Sequence, residues 1–332
     1  MWYIYTMKLL KIHNIVLSLI PNSIFKPLFY NVMKYRARSF KKSGFDVVFG
    51  KNVIELIKNN KKIIIGNKHL VYLTDIKNMF DYYFNSLASD KINNFSVLDF
   101  SKPKKHTFKN TGLSFYFTSI PEDDWEIKEY LSRYSIKRGD IVFDVGSYCG
   151  YSVYNFSKKN GKNGKVYCFE PDEDNYKMLI KNIKAHDLKN VIPIKKGLWS
   201  EATILEFFKE GALGSSIKSM GYRPTHSVKF RIKVLKLEDA YKEFKLKKIN
   251  FVKMDIEGAE VEVIESSLEF IKNKNIHFAI SCHPRNINGR SINTSEILAK
   301  LFKKIGYKTN IKVFTYRTYE AYMIYAEKAV KS

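Results

Sequence analysis

Four short stretches in the middle of the chain put titratable residues at the ends of apolar runs. "IVFDVGSYCGYSVY" (141–154) leads through Asp144 into Gly146, Ser147 and Gly150. "VYCFEPD" (166–172) ends in Glu170 and Pro171. "INFVKMDIEGAEVEVIES" (249–266) carries Lys253, Asp255 and Glu257, and "ISCHPR" (280–285) carries His283. A carboxylate before a two-glycine turn suits a ligand that bears a cation and no phosphate. A pyrophosphate needs the free amides of a G-x-G-x-x-G turn at a helix start. That third glycine is missing, which disfavours a nicotinamide dehydrogenase, and no G-K-[ST] follows to make a P-loop.

S-adenosylmethionine meets the requirement. Its ammonium is drawn to Asp144, directly or through water, and Gly146 and Gly150 give the backbone room to approach its amino-acid portion. Glu170, one helix and one strand further on, can accept both ribose hydroxyls. Each signal is weak singly: an Asp beside a turn is more often a cap. Their order is what favours the sulfonium ligand. Lys253 and Asp255 share one side of a strand by alternation, and Asp255 at that strand's tip faces the same cleft. Glu260 reads as compensation of a helix dipole.

"FDVGSYCGYSVY", "VYCFEPDEDNYKMLIKNI" and "VKMDIEGAEVEVIE" together resemble the FkbM family of S-adenosylmethionine-dependent methyltransferases, over roughly residues 135–285. The resemblance implies a class I enzyme that O-methylates sugars or small natural products. It implies that Asp144, Gly146, Gly150 and Glu170 hold the cofactor, with Ser147 and Pro171 in the same two turns. It also implies that Lys253, Asp255, Glu257 and Gly258 line the reaction centre. One departure stands out: Ser281 occupies the place where the family often has an acid, while His283 remains. The base candidates are Asp255, His283 and Glu257, in that order, with Lys253 orienting the acceptor oxygen or steadying Asp255. Arg285 and Arg290 can hold an anionic group of the substrate, or belong to a solvated loop. Trp199, in "GLWSEATILEFF", stacks near the adenine or serves a core or lid role. Residues 208–227 read as a mobile loop near the active site, with His226 incidental. No metal-ligand cluster is legible.

The elements that must position these residues follow from patterning. From residue 121 strand-like and helical runs alternate, which means parallel βαβ units. The expected fold is α/β: a class I methyltransferase (Rossmann-like), doubly wound, with a mostly parallel seven-stranded sheet at 121–332 and an N-terminal accessory region at 1–120. "DEDNYKMLIKNIKAHDL" reads as a helix with Tyr176, Leu179, Ile180 and Ile183 on one face. In the first region "NVIELIKNNKKIIIGNKHLVYLTD" reads as a helix followed by one or two strands. "FSVLDF" and "LSFYFTSI" read as strands, and 101–112 as a surface loop.

With 57 Lys and Arg against 33 Asp and Glu, the net charge of +24 favours anionic partners or a solvated basic surface. Three cysteines, none in a C-x-x-C pair, fit a reducing, cytoplasmic compartment. The stretch from Leu9 to Ile20 is too short and too polar to span a bilayer, and no signal-peptide pattern follows it. Ile12, Ile15, Val16 and Leu19 share a helical face beside Lys8 and Lys11, and Lys34, Arg36, Arg38, Lys41 and Lys42 come next. That arm packs on its own domain or lies on an anionic inner membrane face. The expected acceptor is a sugar, a lipid-linked glycan or a small molecule. The alternatives are an RNA methyltransferase, for which no binding module is visible, and a non-catalytic tethering protein.

Overall fold

The structure, a computed structural model, describes residues 22–209, 216–217, 228–283, 285–287, 290–316 and 319–329. The chain enters through helix α1 (Asn22–Arg38) and a short 3-10 turn. A five-stranded sheet follows, built from β1 (Asp46–Phe49), β2 (Val53–Lys58), β3 (Lys61–Gly66), β4 (Asp90–Ile92) and β5 (Phe95–Phe100) in the order β1-β2-β3-β5-β4. Strands β6 (Lys104–Thr107) and β7 (Ser114–Phe117) form a separate hairpin.

Two expectations fail here. "NVIELIKNNKKIII" is a β-hairpin and contains no helix. Asn59 and Asn60 both adopt positive φ (49° and 55°), the conformation of a tight hairpin turn that Asn tolerates. Ile54, Leu56, Ile63 and Ile65 then fall on the buried face by alternation. The supposed surface loop at 101–112 contains β6, and His106 and Phe108 are buried within it. The basic residues around them mask two inward-facing positions.

The second sheet is the frame of the site. Its strands are β8 (Ile141–Val145), β9 (Lys165–Phe169), β10 (Val191–Ile194), β15 (Phe251–Met254), β16 (His277–Cys282), β19 (Tyr307–Tyr316) and β20 (Tyr319–Lys328). Between them lie the small sheet of β11 (Gly197–Leu198), β12 (Thr203–Lys209), β13 (Ser216–Ile217) and β14 (Val228–Leu235), and the hairpin of β17 (Arg285–Ile287) and β18 (Arg290–Ile292). The seven-strand order is β10-β9-β8-β15-β16-β20-β19. The first five strands run parallel, and β20 is antiparallel to both its neighbours. Strand order reverses between β8 and β15, the switch point at which open α/β sheets bind ligands.

Helices cover both faces, as a parallel sheet requires. Tyr151–Asn160 and Glu173–Ala185 lie on one side, where Val153, Phe156 and Leu179 pack with Val142, Val166 and Phe251. Leu237–Glu243, Glu260–Ser266 and Thr294–Lys304 cover the other, where Val263, Leu298 and Phe302 pack with Phe143, Phe169 and Val252. Burying each such side chain contributes about 1.5–3 kcal/mol. The helix Glu173–Ala185 forms as expected, but its apolar face is not uniformly buried. Leu179 is buried, Ile180 is exposed, and Asn175 and Asn182 point inward instead. Asn182 does so because it bonds to both the N-terminal region and the glycine turn: it donates to the carbonyls of Tyr116 and Cys149 and accepts from the Tyr116 amide. The apolar core of that region, including Phe108, Phe115 and Phe117, continues into Ile127, Tyr148, Cys149 and Tyr151. The first region therefore packs directly behind the glycine turn. The three cysteines are buried and free.

Residues 1–21, which hold most of the amphipathic arm, and most of 208–227, including His226, lie outside the described residues. No helix among the described residues is long and apolar enough to cross a membrane.

Candidate active site

The turn after β8 is held by its own backbone. The amides of Gly146 and Ser147 both donate to the Phe169 carbonyl at 3.0 Å, and Ser147 Oγ donates to the Asp144 carbonyl at 2.8 Å. Gly146 and Gly150 adopt φ of +78° and +88°, and the chain itself demands both. A Cβ on Gly146 would lie 1.9 Å from the Asp255 carbonyl oxygen, and one on Gly150 would lie 2.5 Å from Leu179 Cδ1. The glycines thus let the turn pack against the tip of β15 and the helix behind it, a reason different from the room for a ligand that the spacing suggests.

Asp144 and Lys253 are register partners across β8 and β15. Lys253 Nζ stands 3.2 Å from Asp144 Oδ1 and donates to the Gly146 carbonyl at 2.6 Å. Ser152 Oγ donates to the other Asp144 oxygen at 2.5 Å. Both side chains are buried. Burial works against charge on Lys253, but Asp144, Asp255 and Glu122 outweigh it and raise its pKa. Lys253 thus ties the glycine turn to Asp144, and its ammonium also feels the Asp255 carboxylate. Asp144 likewise meets Lys253 and Ser152. Its carboxylate is fully covered, and any ammonium is reached through what it holds.

Glu170 sits at the C-terminal end of β9. Its oxygens accept from the amides of Tyr148 and Asp172, each at 2.9 Å. Burial pushes its carboxyl up to about 8. Pro171 backs onto Gly197. Trp199 donates its amide to the Leu235 carbonyl at 2.9 Å and packs half-buried with Ile232 and Val234 of β14.

The second cluster forms because β15 and β16 are parallel neighbours, so their C-terminal tips meet although the sequence separates them. The Asp255 amide donates to the Val145 carbonyl at 2.9 Å, tying this tip to the glycine turn. Glu257 and Gly258, both at positive φ (55° and 105°), bend the chain into the helix at Glu260. His283 Nε2 lies 3.4 Å from Asp255 Oδ1 and 3.8 Å from Glu257 Oε2. On its far side Nδ1 donates to Glu260 Oε1 at 2.8 Å. Burial disfavours the imidazolium, but Glu257, Glu260 and Asp255 overcome this and lift His283 to about 10. The Tyr130 hydroxyl donates to Asp255 Oδ2 at 2.8 Å.

Sequence reasoning missed three members of this arrangement. Glu260, read as a helix-dipole acid, is fully buried and binds the amides of Ile256 and Gly258 as well as His283. Its burial has no signature in an acidic first turn. Ser152 stands two residues past Gly150, and its contact to Asp144 is visible only in three dimensions. Tyr130 reaches Asp255 across 125 positions. Arg285 and Arg290 fall on β17 and β18, and their side chains lie outside the described residues.

The donor set fits S-adenosylmethionine. A buried carboxylate at the tip of the second strand is aimed by two amides and keeps further lone pairs for hydroxyls, beside a turn whose backbone is already fixed. Comparisons agree. The Methyltransferase FkbM domain matches residues 144–309, half of the chain. The hexuronic acid methyltransferase AglP of Haloferax volcanii is 27% identical over 166 residues, which cover 46% of this chain and 64% of that protein. The chain thus spans less than two thirds of that relative's length. Among solved structures, an FkbM methyltransferase from Methylobacillus flagellatus aligns with a TM-score of 0.40 at 17% identity, covering 57% of this chain and 44% of that one. M. jannaschii TYW2 in complex with AdoMet aligns with a TM-score of 0.38 at 19% identity, covering 69% and 87%. The chain belongs to the FkbM family of methyltransferases.

Proposed function

We propose that this methyltransferase methylates an oxygen of a sugar or glycan, with Asp255 at the reacting centre. The observation that carries this reading is the Asp255–His283–Glu257 cluster, joined to the cofactor turn through the bond from Asp255 N to Val145 O. S-adenosylmethionine supplies a methyl group already activated on a sulfonium. The chain must hold an acceptor oxygen in line with it and remove a proton. Asp255, a third exposed and aimed by Tyr130, would accept the hydroxyl proton as the methyl group leaves the sulfonium, which becomes a neutral thioether, for the acceptor oxygen. His283, held as imidazolium, steadies the carboxylates on either side. Positioning can supply about 7–11 kcal/mol of the barrier reduction, and the base adds roughly 10²–10⁴-fold. Glu170 holds the ribose, and Pro171 and Trp199 flank the adenine side. Gly146, Ser147 and Gly150 shape the turn.

The hexuronic acid relative supports a saccharide acceptor. Residues 1–120 act in this reading as an accessory region that buttresses the turn. The exposed cations Lys34, Arg36, Arg38, Lys41 and Lys42 stand opposite the buried Met33, Ala37 and Phe40. That basic face supports contact with an anionic membrane that presents a lipid-linked acceptor. The test is transfer of a labelled methyl group to a panel of free and lipid-linked saccharides, uronic acids included, with RNA as competitor. Label on the saccharide supports the reading, and label on RNA alone overturns it.

A further inference from the structure

We propose that Asp255, Glu257 and His283 bind a divalent first-row transition-metal ion, with Glu260 fixing the imidazole from behind. One ligand atom from each of the three residues lies within 4.8 Å of the others. The separations from His283 Nε2 to the two carboxylate oxygens are 3.4 and 3.8 Å. A cation about 2.1 Å from each of two ligands in tetrahedral or octahedral geometry needs them roughly 3–3.5 Å apart. Small rotations of two part-exposed carboxylates close that gap.

The imidazole separates this cluster from an ordinary group of surface acids. Nδ1 gives its proton to Glu260 Oε1 at 2.8 Å, and Glu260 is itself fully buried and held by two backbone amides. With Nδ1 engaged in this way, the ring is fixed with Nε2 directed at Asp255 and Glu257. A histidine backed by a carboxylate is the usual second layer of a protein metal site. Three carboxylates surround one imidazole, an excess of anionic donors that suits a cation. A bound ion takes the place of the Nε2 proton.

One nitrogen and two carboxylate ligands suit Mn²⁺, Fe²⁺ or Zn²⁺. Ca²⁺ is disfavoured, because it requires six to eight oxygens. The three side chains are a quarter to a third exposed, so solvent or a substrate can reach the remaining coordination positions, as in a metal site that takes a substrate. Those positions suit two oxygens on neighbouring carbons of a sugar, or a hydroxyl beside a carboxylate. Use of the ion rests on the methyl-transfer reading of this site, whereas its binding stands apart from it.

The test is titration of the metal-stripped full-length chain with Mn²⁺ and with Zn²⁺ by calorimetry, alongside S-adenosylmethionine. One equivalent of at least one ion should bind. Asp255→Asn and Glu257→Gln should each weaken binding at least tenfold, and His283→Ala should abolish it. Glu260→Gln, which keeps every ligand, should cost about 10–100-fold. Circular dichroism and unaltered cofactor binding would show that each variant is folded. Absence of binding by both ions, or binding that is unchanged in an Asp255→Asn/Glu257→Gln double variant, overturns the proposal. If methyl transfer persists undiminished in chelator, the ion has no part in the reaction but the methyltransferase reading survives. If S-adenosylmethionine itself fails to bind, that reading falls instead.

Discussion

Lys253→Met is the most informative single perturbation. It removes a cation that lies 3.2 Å from Asp144 and 2.6 Å from the Gly146 carbonyl, in a place where both side chains are buried. The Met side chain fills most of the same volume, so the loss is one of charge and hydrogen bonding. Breaking one half of a buried ion pair costs about 3–5 kcal/mol, because the remaining charge is left uncompensated. Ser152 still bonds one Asp144 oxygen, which places the expected cost at the lower end, about 3 kcal/mol. At roughly 2–4 °C per kcal/mol for large domains, the melting temperature should fall by about 6–12 °C. Because the pair holds the turn, cofactor affinity should fall with it. Adding Asp144→Asn should restore much of the stability, since the stranded charge is then gone, and the cycle isolates the coupling. Calorimetric melting of the four proteins measures this. A Lys253→Met protein that melts within 1 °C (about 0.3 kcal/mol on the same scale) of the parent, with unchanged cofactor affinity, would refute the claim that this pair braces the site.

Other outcomes follow from the same geometry. Asp255→Asn should leave cofactor binding largely intact and reduce turnover by about 10²–10⁴-fold, measured by single-turnover methyl transfer. Glu170→Gln keeps the shape but removes the charge-assisted bonds, each worth about 1.5–3 kcal/mol. Cofactor affinity should drop about 10- to 150-fold. The pH dependence has a defined sign: with the Glu170 carboxyl raised to about 8, binding of hydroxyls to the carboxylate releases a proton. Affinity should then rise with pH up to about 8 and level off, and Glu170→Gln should flatten the profile in titrations across buffers. Gly146→Ala introduces a Cβ 1.9 Å from the Asp255 carbonyl oxygen, so it should lower stability and cofactor affinity together, read by melting and calorimetry.

Much of the frame was legible because apolar runs in a parallel sheet are long, and their turns carry Gly and acids at fixed places. β8, β9, β15 and β16, with the helices after them, fall where the patterning puts them, and the sheet is the seven-stranded, mostly parallel one expected. Asp144, Glu170, Asp255, Glu257 and His283 converge at its C-terminal edge. What escaped the sequence depended on tertiary context. The Asn59–Asn60 turn makes a hairpin of a stretch that reads as helical, and His106 hides in a lysine-rich segment. Lys253 reads as orienting an acceptor or steadying Asp255, because strand alternation gives a side but no partner. Only the register with Asp144 reveals that its ammonium is already engaged. Glu260 looked like an ordinary first-turn acid until the fold brought His283 against it.

The central claim is that the glycine turn and Glu170 seat the cofactor beside the acid cluster. Isothermal titration of the folded chain with S-adenosylmethionine, run in parallel with Glu170→Gln, tests it most directly. Saturable one-to-one binding that weakens in the variant is the predicted result. A folded chain that takes up no cofactor, or that binds it equally well without the Glu170 carboxylate, would contradict it.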